Sequence, residues 1–157
     1  MTASRARQVD AAQTGISVGP MARELGFHLR RSQIAAFKVF AQTVTAAEGI
    51  TPGLYGMLQV IANNPGLSQS ALAEAMEVDR SSIVKVVNQL EEKGLIAREP
   101  SPTDRRSYRL RMKPEGKLAL KRIEEAVMHQ DRQFAAALSA AERATLIDLL
   151  KRLYQRD

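Results

Sequence analysis

Residues 68–94 read SQSALAEAMEVDRSSIVKVVNQLEEKG: two short helical patterns separated by three residues. No other stretch restricts the fold as much. Ser68 and Asp79 are each placed to cap the first turn of a helix, and Gly94 is placed to stop the second one. A break of three residues leaves room only for a tight corner, so the two helices must pack against each other as a helix-turn-helix. Leu72, Ala75 and Met76 are expected to meet Ile83, Val87 and Leu90 across it.

At 3.6 residues per turn, Ile83, Val86, Val87 and Leu90 form one apolar stripe, which must face the protein. Ser81, Val84, Lys85 and Asn88 fall on the opposite face. That face suits the major groove of DNA. Lysine bonds guanine acceptors or phosphate, asparagine reads adenine, and valine touches a thymine methyl. Arg80 and Ser82 lie at the helix N-terminus, where backbone N–H groups and the dipole favour phosphate. Ser68 and Gln69, which open the preceding helix, are further candidate DNA contacts. Taken alone, the same face also reads as an ordinary solvated surface behind a cap.

The next segment removes much of that ambiguity. LIARE at 95–99 and SYRLRM at 107–112 read as paired strands around a loop. Between Leu95 and Lys113 six basic residues face two acidic ones. The alternation puts Tyr108, Leu110 and Met112 inward and Arg109 and Arg111 outward. The loop carries Asp104, Arg105 and Arg106. A basic hairpin beside a groove-reading helix is a wing, whose arginine tip can enter the adjacent minor groove. Asp104 repels phosphate, so its expected job is to hold an arginine by a charged hydrogen bond.

Around this module the pattern is helical. One helical run is expected from Pro20 to Glu48, with Leu25, Leu29, Phe37, Phe40 and Val44 at helical spacing and Gly49 as the stop. Thr51-Pro52 starts a second helix that is apolar nearly all round, through Leu54, Tyr55, Met57, Leu58 and Ile61. Pro114 opens a long helix expected to carry residues from Leu118 to Leu138. Ser139 and Glu142 form a capping box for a last helix holding Leu146, Ile147, Leu149, Leu150 and Leu153. The expected architecture is mainly α with a small β-hairpin wing. Residues 1–19 are expected to be a flexible tail, 51–113 the winged helix-turn-helix, and 20–50 with 114–157 the dimerisation helices.

The composition excludes several chemistries. Cysteine is absent, so disulfides and thiol nucleophiles are ruled out. The two histidines, His28 and His129, are far apart, so no histidine metal site is expected and no cofactor is implied. Ser82-Ile83-Val84-Lys85 has a spacing used by some serine acyl-enzymes, but nothing else of that machinery accompanies it; no catalytic residue is assigned and the chain is not expected to be an enzyme. A net charge of +6 favours an anionic partner, although mild basicity also serves solubility. No apolar run approaches the ~20 residues of a membrane span, and no secretory signal is recognisable. No membrane partner and a cytoplasmic location are therefore expected.

The order of helix, helix, helix-turn-helix, then VDRSSIVKVVNQLEEKGLIAREPSPTDRRSYRLRMKPEG, then two long helices resembles the multiple-antibiotic-resistance regulator (MarR) family of bacterial winged-helix repressors. The family's wing motif maps onto Asp104, Arg106 and Gly116, and GLSQSALAEAM matches the first helix of its helix-turn-helix. The resemblance covers about residues 22–155. Two positions depart from the pattern. Glu77 stands where the family usually has a glycine at the turn, and Lys113 stands where it often has threonine.

The resemblance implies a homodimer on double-stranded DNA, pairing through residues 20–48 and 114–156 and reading an inverted repeat. The sequence supports pairing independently, since the C-terminal helices hold more large apolar residues than one small winged helix can bury. The resemblance also implies release by a small molecule bound between the dimer helices and the winged domain. His28, Arg31, Ser32, Tyr55 and Met57 are the candidate lining residues. An aromatic acid, or its coenzyme A thioester, is the expected effector: arginine pairs a carboxylate and the aromatic and methionine walls accept a ring. The alternative is a winged-helix adaptor or architectural protein with no effector.

Overall fold

The computed structural model describes residues 16–102 and 107–155. It is mainly helical with one small antiparallel sheet. Its elements are α1 (Leu25–Phe40), α2 (Ala46–Glu48), α3 (Pro52–Asn63), β1 (Leu67–Ser68), α4 (Gln69–Ala75), α5 (Arg80–Glu92), β2 (Ile96–Pro100), β3 (Tyr108–Met112), α6 (Pro114–Phe134) and α7 (Ala140–Tyr154). The chain divides into two compact units: Phe40–Gln130, and the two flanking ends up to Val39 and from Asp131 onward.

Local chemistry explains the helix boundaries. Thr51, Ser68 and Asp79 each accept a backbone N–H at the start of α3, α4 and α5. At α7 the Ser139 hydroxyl accepts from Glu142 N while the Glu142 carboxylate accepts from Ser139 N, a complete capping box. The expected single run from Pro20 to Glu48 is broken. A 3-10 turn spans Gly19–Arg23, and a π-helical turn spans Ala41–Thr45 before α2. The π turn contains three β-branched residues, Thr43, Val44 and Thr45, and Thr45 Oγ1 donates 2.8 Å to Ile50 O just past the helix end. The long helix also ends sooner than expected: α6 stops at Phe134, and Leu138 lies in the turn before α7.

In the Phe40–Gln130 unit the core joins α3, α4, α5, the sheet and the first turns of α6. Leu54, Leu58, Ile61, Leu72, Ile83, Val87, Leu90, Ile96, Leu110 and Ile123 are all buried in it. Each such side chain removes apolar surface worth about 1.5–3 kcal/mol from water. Ala73, rather than the expected Ala75, is the alanine of α4 that joins this core; Ala75 is exposed. The sheet order is β1-β3-β2, with Leu67 opposite Leu110 and Arg98 opposite Leu110 on the other side. The two-residue β1 carries no alternation by which a sequence could reveal it.

The hairpin supports α6 through one close approach. Lys113 N donates to Leu95 O, and a Cβ on Gly116 would stand 1.9 Å from that oxygen. Only glycine lets the first turn of α6 lie this near β2. Among the described residues, no helix is long and apolar enough to cross a membrane.

Candidate nucleic-acid interface

Helix α5 is held by Ile83, Val87 and Leu90, which are essentially inaccessible to solvent. That anchoring decides which side of the helix is free. Ser81, Val84, Lys85 and Asn88 are exposed, with Val84 at 46%. The apolar methyls, amide and ammonium that the sequence assigns to one face therefore share it. Arg80 is exposed beside them at the helix start.

The N-terminus of α5 is tightly organised. Ser81 Oγ donates to Asp79 Oδ1 at 2.5 Å, Ser82 Oγ donates to Asp79 Oδ2 at 2.6 Å, and Ser82 N donates to Oδ1 at 2.9 Å. These bonds, the Ser81 hydroxyl first, hold the Asp79 carboxyl well below the usual carboxylate range. Both hydroxyl protons are thus engaged. A phosphate, which only accepts, can be met by Arg80 and Lys85 directly but by Ser81 or Ser82 only on release from Asp79. The serine oxygens keep lone pairs for a base-edge donor such as the exocyclic amine of adenine or cytosine.

The corner between α4 and α5 closes with Glu77 N bonded to Glu74 O and Val78 N bonded to Ala73 O. Glu77 takes φ +51, the left-handed conformation that the glycine-favouring position requires. Ser68 Oγ is engaged by Ala71 N at 3.1 Å. The Gln69 side-chain oxygen is buried without a hydrogen-bond partner among the described residues.

In the wing, Ser101 N donates to Ser107 O across the base of the loop. Asp104, Arg105 and Arg106 lie outside the described residues. Tyr108 departs from expectation. It shares a face with Leu110 and Met112, yet is 48% exposed. It pairs with Pro100 at the far end of the hairpin, beyond the reach of the core that covers Leu110. Two of the wing's arginines are already paired with carboxylates. Arg111 Nε donates to Glu99 Oε2 at 2.5 Å, and Arg98 Nη1 donates to Glu91 Oε2 at 2.5 Å. Arg98 also donates through Nη2 to Asn88 Oδ1 at 2.5 Å. This link between wing and helix is the main feature that sequence reasoning missed. Composition counts Arg98 as one more positive charge; only the sheet register and the helix azimuth show what it holds.

The family model described as MarR family matches residues 48–107. A protein of Thauera aromatica, named as a candidate transcriptional regulator for the hcr operon, is 76% identical over 139 residues, covering 88% of this chain and 84% of that one. This chain belongs to the MarR family of transcriptional regulators. Solved structures agree with that placement. The transcriptional repressor CouR bound to a 23-mer DNA duplex superposes with TM-score 0.84 at 28% identity, covering 89% of this chain and 99% of that chain. The PcaV transcriptional regulator of Streptomyces coelicolor, in complex with its natural ligand, gives TM-score 0.78 at 30% identity, covering 88% and 96%.

The regulator's candidate effector residues fall in two groups. His28 and Ser32 on α1 line a cavity of 480 Å³ together with Leu25, Leu29 and, from α7, Leu146, Leu149, Leu150, Arg152 and Leu153. His28 Nε2 lies 2.8 Å from Ala22 O. Arg31 is outside that lining, and its guanidinium sits 5.8 Å from the centre of the Phe27 ring. Arg152, which the sequence did not single out, is the cation that does line the cavity. Tyr55 and Met57 belong to the other unit. There Tyr55 Oη accepts from Gln59 Nε2 at 3.0 Å, and Met57 is buried in the core. No cluster of metal-ligating side chains occurs among the described residues.

Proposed function

We propose that this regulator is a cytoplasmic homodimeric repressor. Its two α5 helices enter successive major grooves of an inverted-repeat operator, and a small aromatic acid or its coenzyme A thioester releases it. The observation that carries the DNA half is the division of α5: three side chains are buried on one side, and a serine, a valine, a lysine and an asparagine stand exposed on the other. Ser68, Gln69, Arg80, Ser81, Ser82, Val84, Lys85 and Asn88 are assigned to this interface, with Asp104, Arg105 and Arg106 at the wing tip. CouR bound to a DNA duplex is a fold relative that supports the assignment.

Pairing is supported by apolar surface. Leu25, Ile34, Phe37, Leu118, Met128 and Leu153 are all at least 45% exposed. Large apolar side chains left exposed in such number are ordinarily covered in a stable protein. The effector half is supported by the leucine-lined cavity in which His28, Ser32 and Arg152 supply the polar groups. Its volume falls within the roughly 300–1,000 Å³ usual for small-molecule sites. A benzenoid ring with one carboxylate fits there. Arg31, Tyr55 and Met57 do not line this cavity.

Fluorescence anisotropy of labelled DNA from upstream of the protein's own gene tests both halves. Specific binding should exceed binding to scrambled DNA by ~10³-fold or more. One member of a panel of aromatic acids and thioesters should reverse it. Equal binding to scrambled DNA with a steep salt dependence would favour an architectural protein instead.

A further inference from the structure

Asn88 stands on the exposed face of α5, and a residue of the wing grips its side chain. Arg98 reaches from β2 with Nη2 on Asn88 Oδ1 and Nη1 on Glu91 Oε2, both at 2.5 Å, while its backbone N donates to Glu91 Oε1 at 3.3 Å. Asn88 and Glu91 are three positions apart, so they are neighbours on one side of the helix. The Arg98 side chain is only 20% exposed. It is held at both ends: by the strand that carries it and by the carboxylate that neutralises it.

The chemistry of this contact fixes a choice that asparagine otherwise leaves open. An amide can present oxygen or nitrogen in either direction by rotating half a turn about its last torsion. A guanidinium has five donors and no acceptor. The end of Asn88 that meets Arg98 must therefore be oxygen. The Nδ2 donors are then turned away from the wing, and Oδ1 keeps a lone pair beside them. An amide held this way presents one order of donor and acceptor along the groove. Bidentate recognition of adenine depends on that order. A freely rotating amide would present both orders and discriminate less.

We propose that Arg98, held by Glu91, is a specificity-determining positioning residue that locks the Asn88 amide and so sets the base preference at one operator position. The proposal rests on the reading that the exposed face of α5 enters the major groove. It assigns Arg98 no role as a phosphate neutraliser, because Glu91 already balances its charge. Removing Arg98 should then leave the salt dependence of binding almost unchanged.

The test uses the full chain. The wild type first selects its site from a pool of random 30-base-pair duplexes. Binding is then measured on that site with each position changed to the other three base pairs. Asn88→Ala should flatten the preference at one base pair by about 10-fold. Arg98→Ala should flatten the same base pair to a similar extent, and the double variant should be no worse than either single one. Glu91→Gln should give an intermediate loss there, and it carries the test if Arg98→Ala fails to fold. A uniform loss across all sequences in Arg98→Ala, with the salt slope reduced by about one, would overturn the proposal in favour of a direct phosphate contact. Lowered thermal stability with an unchanged base preference would overturn it in favour of a strut. If Asn88→Ala flattens a position and neither Arg98→Ala nor Glu91→Gln does, the groove reading stands and the proposal falls. If the wild type selects no site, both fall.

Discussion

The two corners that bracket α5 solve the same problem with different residues. After α4, Val78 N bonds to Ala73 O and Glu77 N to Glu74 O; after α5, Leu95 N bonds to Leu90 O and Gly94 N to Glu91 O. Both are Schellman closures, and both need a left-handed residue. Gly94 adopts φ +71 freely, whereas Glu77 adopts φ +51 against the contact of its Cβ with the backbone. Glu77→Gly should therefore stabilise the fold by about 0.5–1 kcal/mol, the relief of strain exceeding the added freedom of the unfolded chain. Urea denaturation would show it as a higher midpoint at constant slope, and a lower midpoint would mean that the Glu77 side chain contributes something beyond the turn. The opposite case is Gly116. A methyl there would lie 1.9 Å from Leu95 O, an oxygen already fixed by Lys113 N. Gly116→Ala should cost about 3 kcal/mol, because relief requires moving α6 away from the strand. A loss below about 1 kcal/mol in the same experiment would show that the helix start yields easily.

At the scale of elements, helix starts were legible because capping is local: a serine, threonine or aspartate before an apolar run states its own role. Asp79 shows how far that reaches. Its depressed pKa means that the ionised form is bound more tightly in the folded chain than in the unfolded one. Such a group contributes stability above its ordinary value of 3.8, and the contribution is lost as pH falls further. Asp79→Ala should lower the melting temperature at pH 7, and the gap from the wild type should narrow steadily below about pH 4. A gap that stayed constant down to pH 2 would mean that the carboxylate charge is not what holds the cap. Glu142 in the capping box of α7 is shifted in the same direction by its bonds from Ser139. What the sequence did not show at this scale depends on where distant elements meet. Period-2 alternation placed Tyr108 on the inner face, but it does not say where the core beneath that face ends. Helical periodicity placed Asn88 on the open side of α5, yet the partner of its amide is set by sheet register, ten residues along the chain. The break at Ala41–Thr45 was equally hidden, since a π turn preserves an apolar pattern while shifting it by one residue.

At the scale of the whole molecule, the question is what covers the apolar residues that this chain leaves outside. Ile34 and Phe37 are three positions apart on α1, hence on one side of it, and are 55% and 51% exposed. Neither lines the cavity that holds His28 and Ser32, so changing them tests pairing without touching the proposed effector site. The proposed homodimer makes a sharp expectation. In sedimentation at micromolar concentration the wild type should run at twice the chain mass of 17.3 kDa. Replacing both residues, Ile34→Glu with Phe37→Glu, should halve that mass while leaving the far-ultraviolet helical signal intact, because neither side chain belongs to the buried core. The DNA consequence follows from the same geometry. A dimer places two α5 helices on one duplex, so the second contact is made at high effective concentration once the first has formed. A monomer loses that advantage. Its affinity for a two-half-site duplex should fall by about 100-fold or more, toward its affinity for a single half-site. Should the variant remain at twice the chain mass, pairing runs through another face, and the exposed stripe of α1 must answer to a different partner.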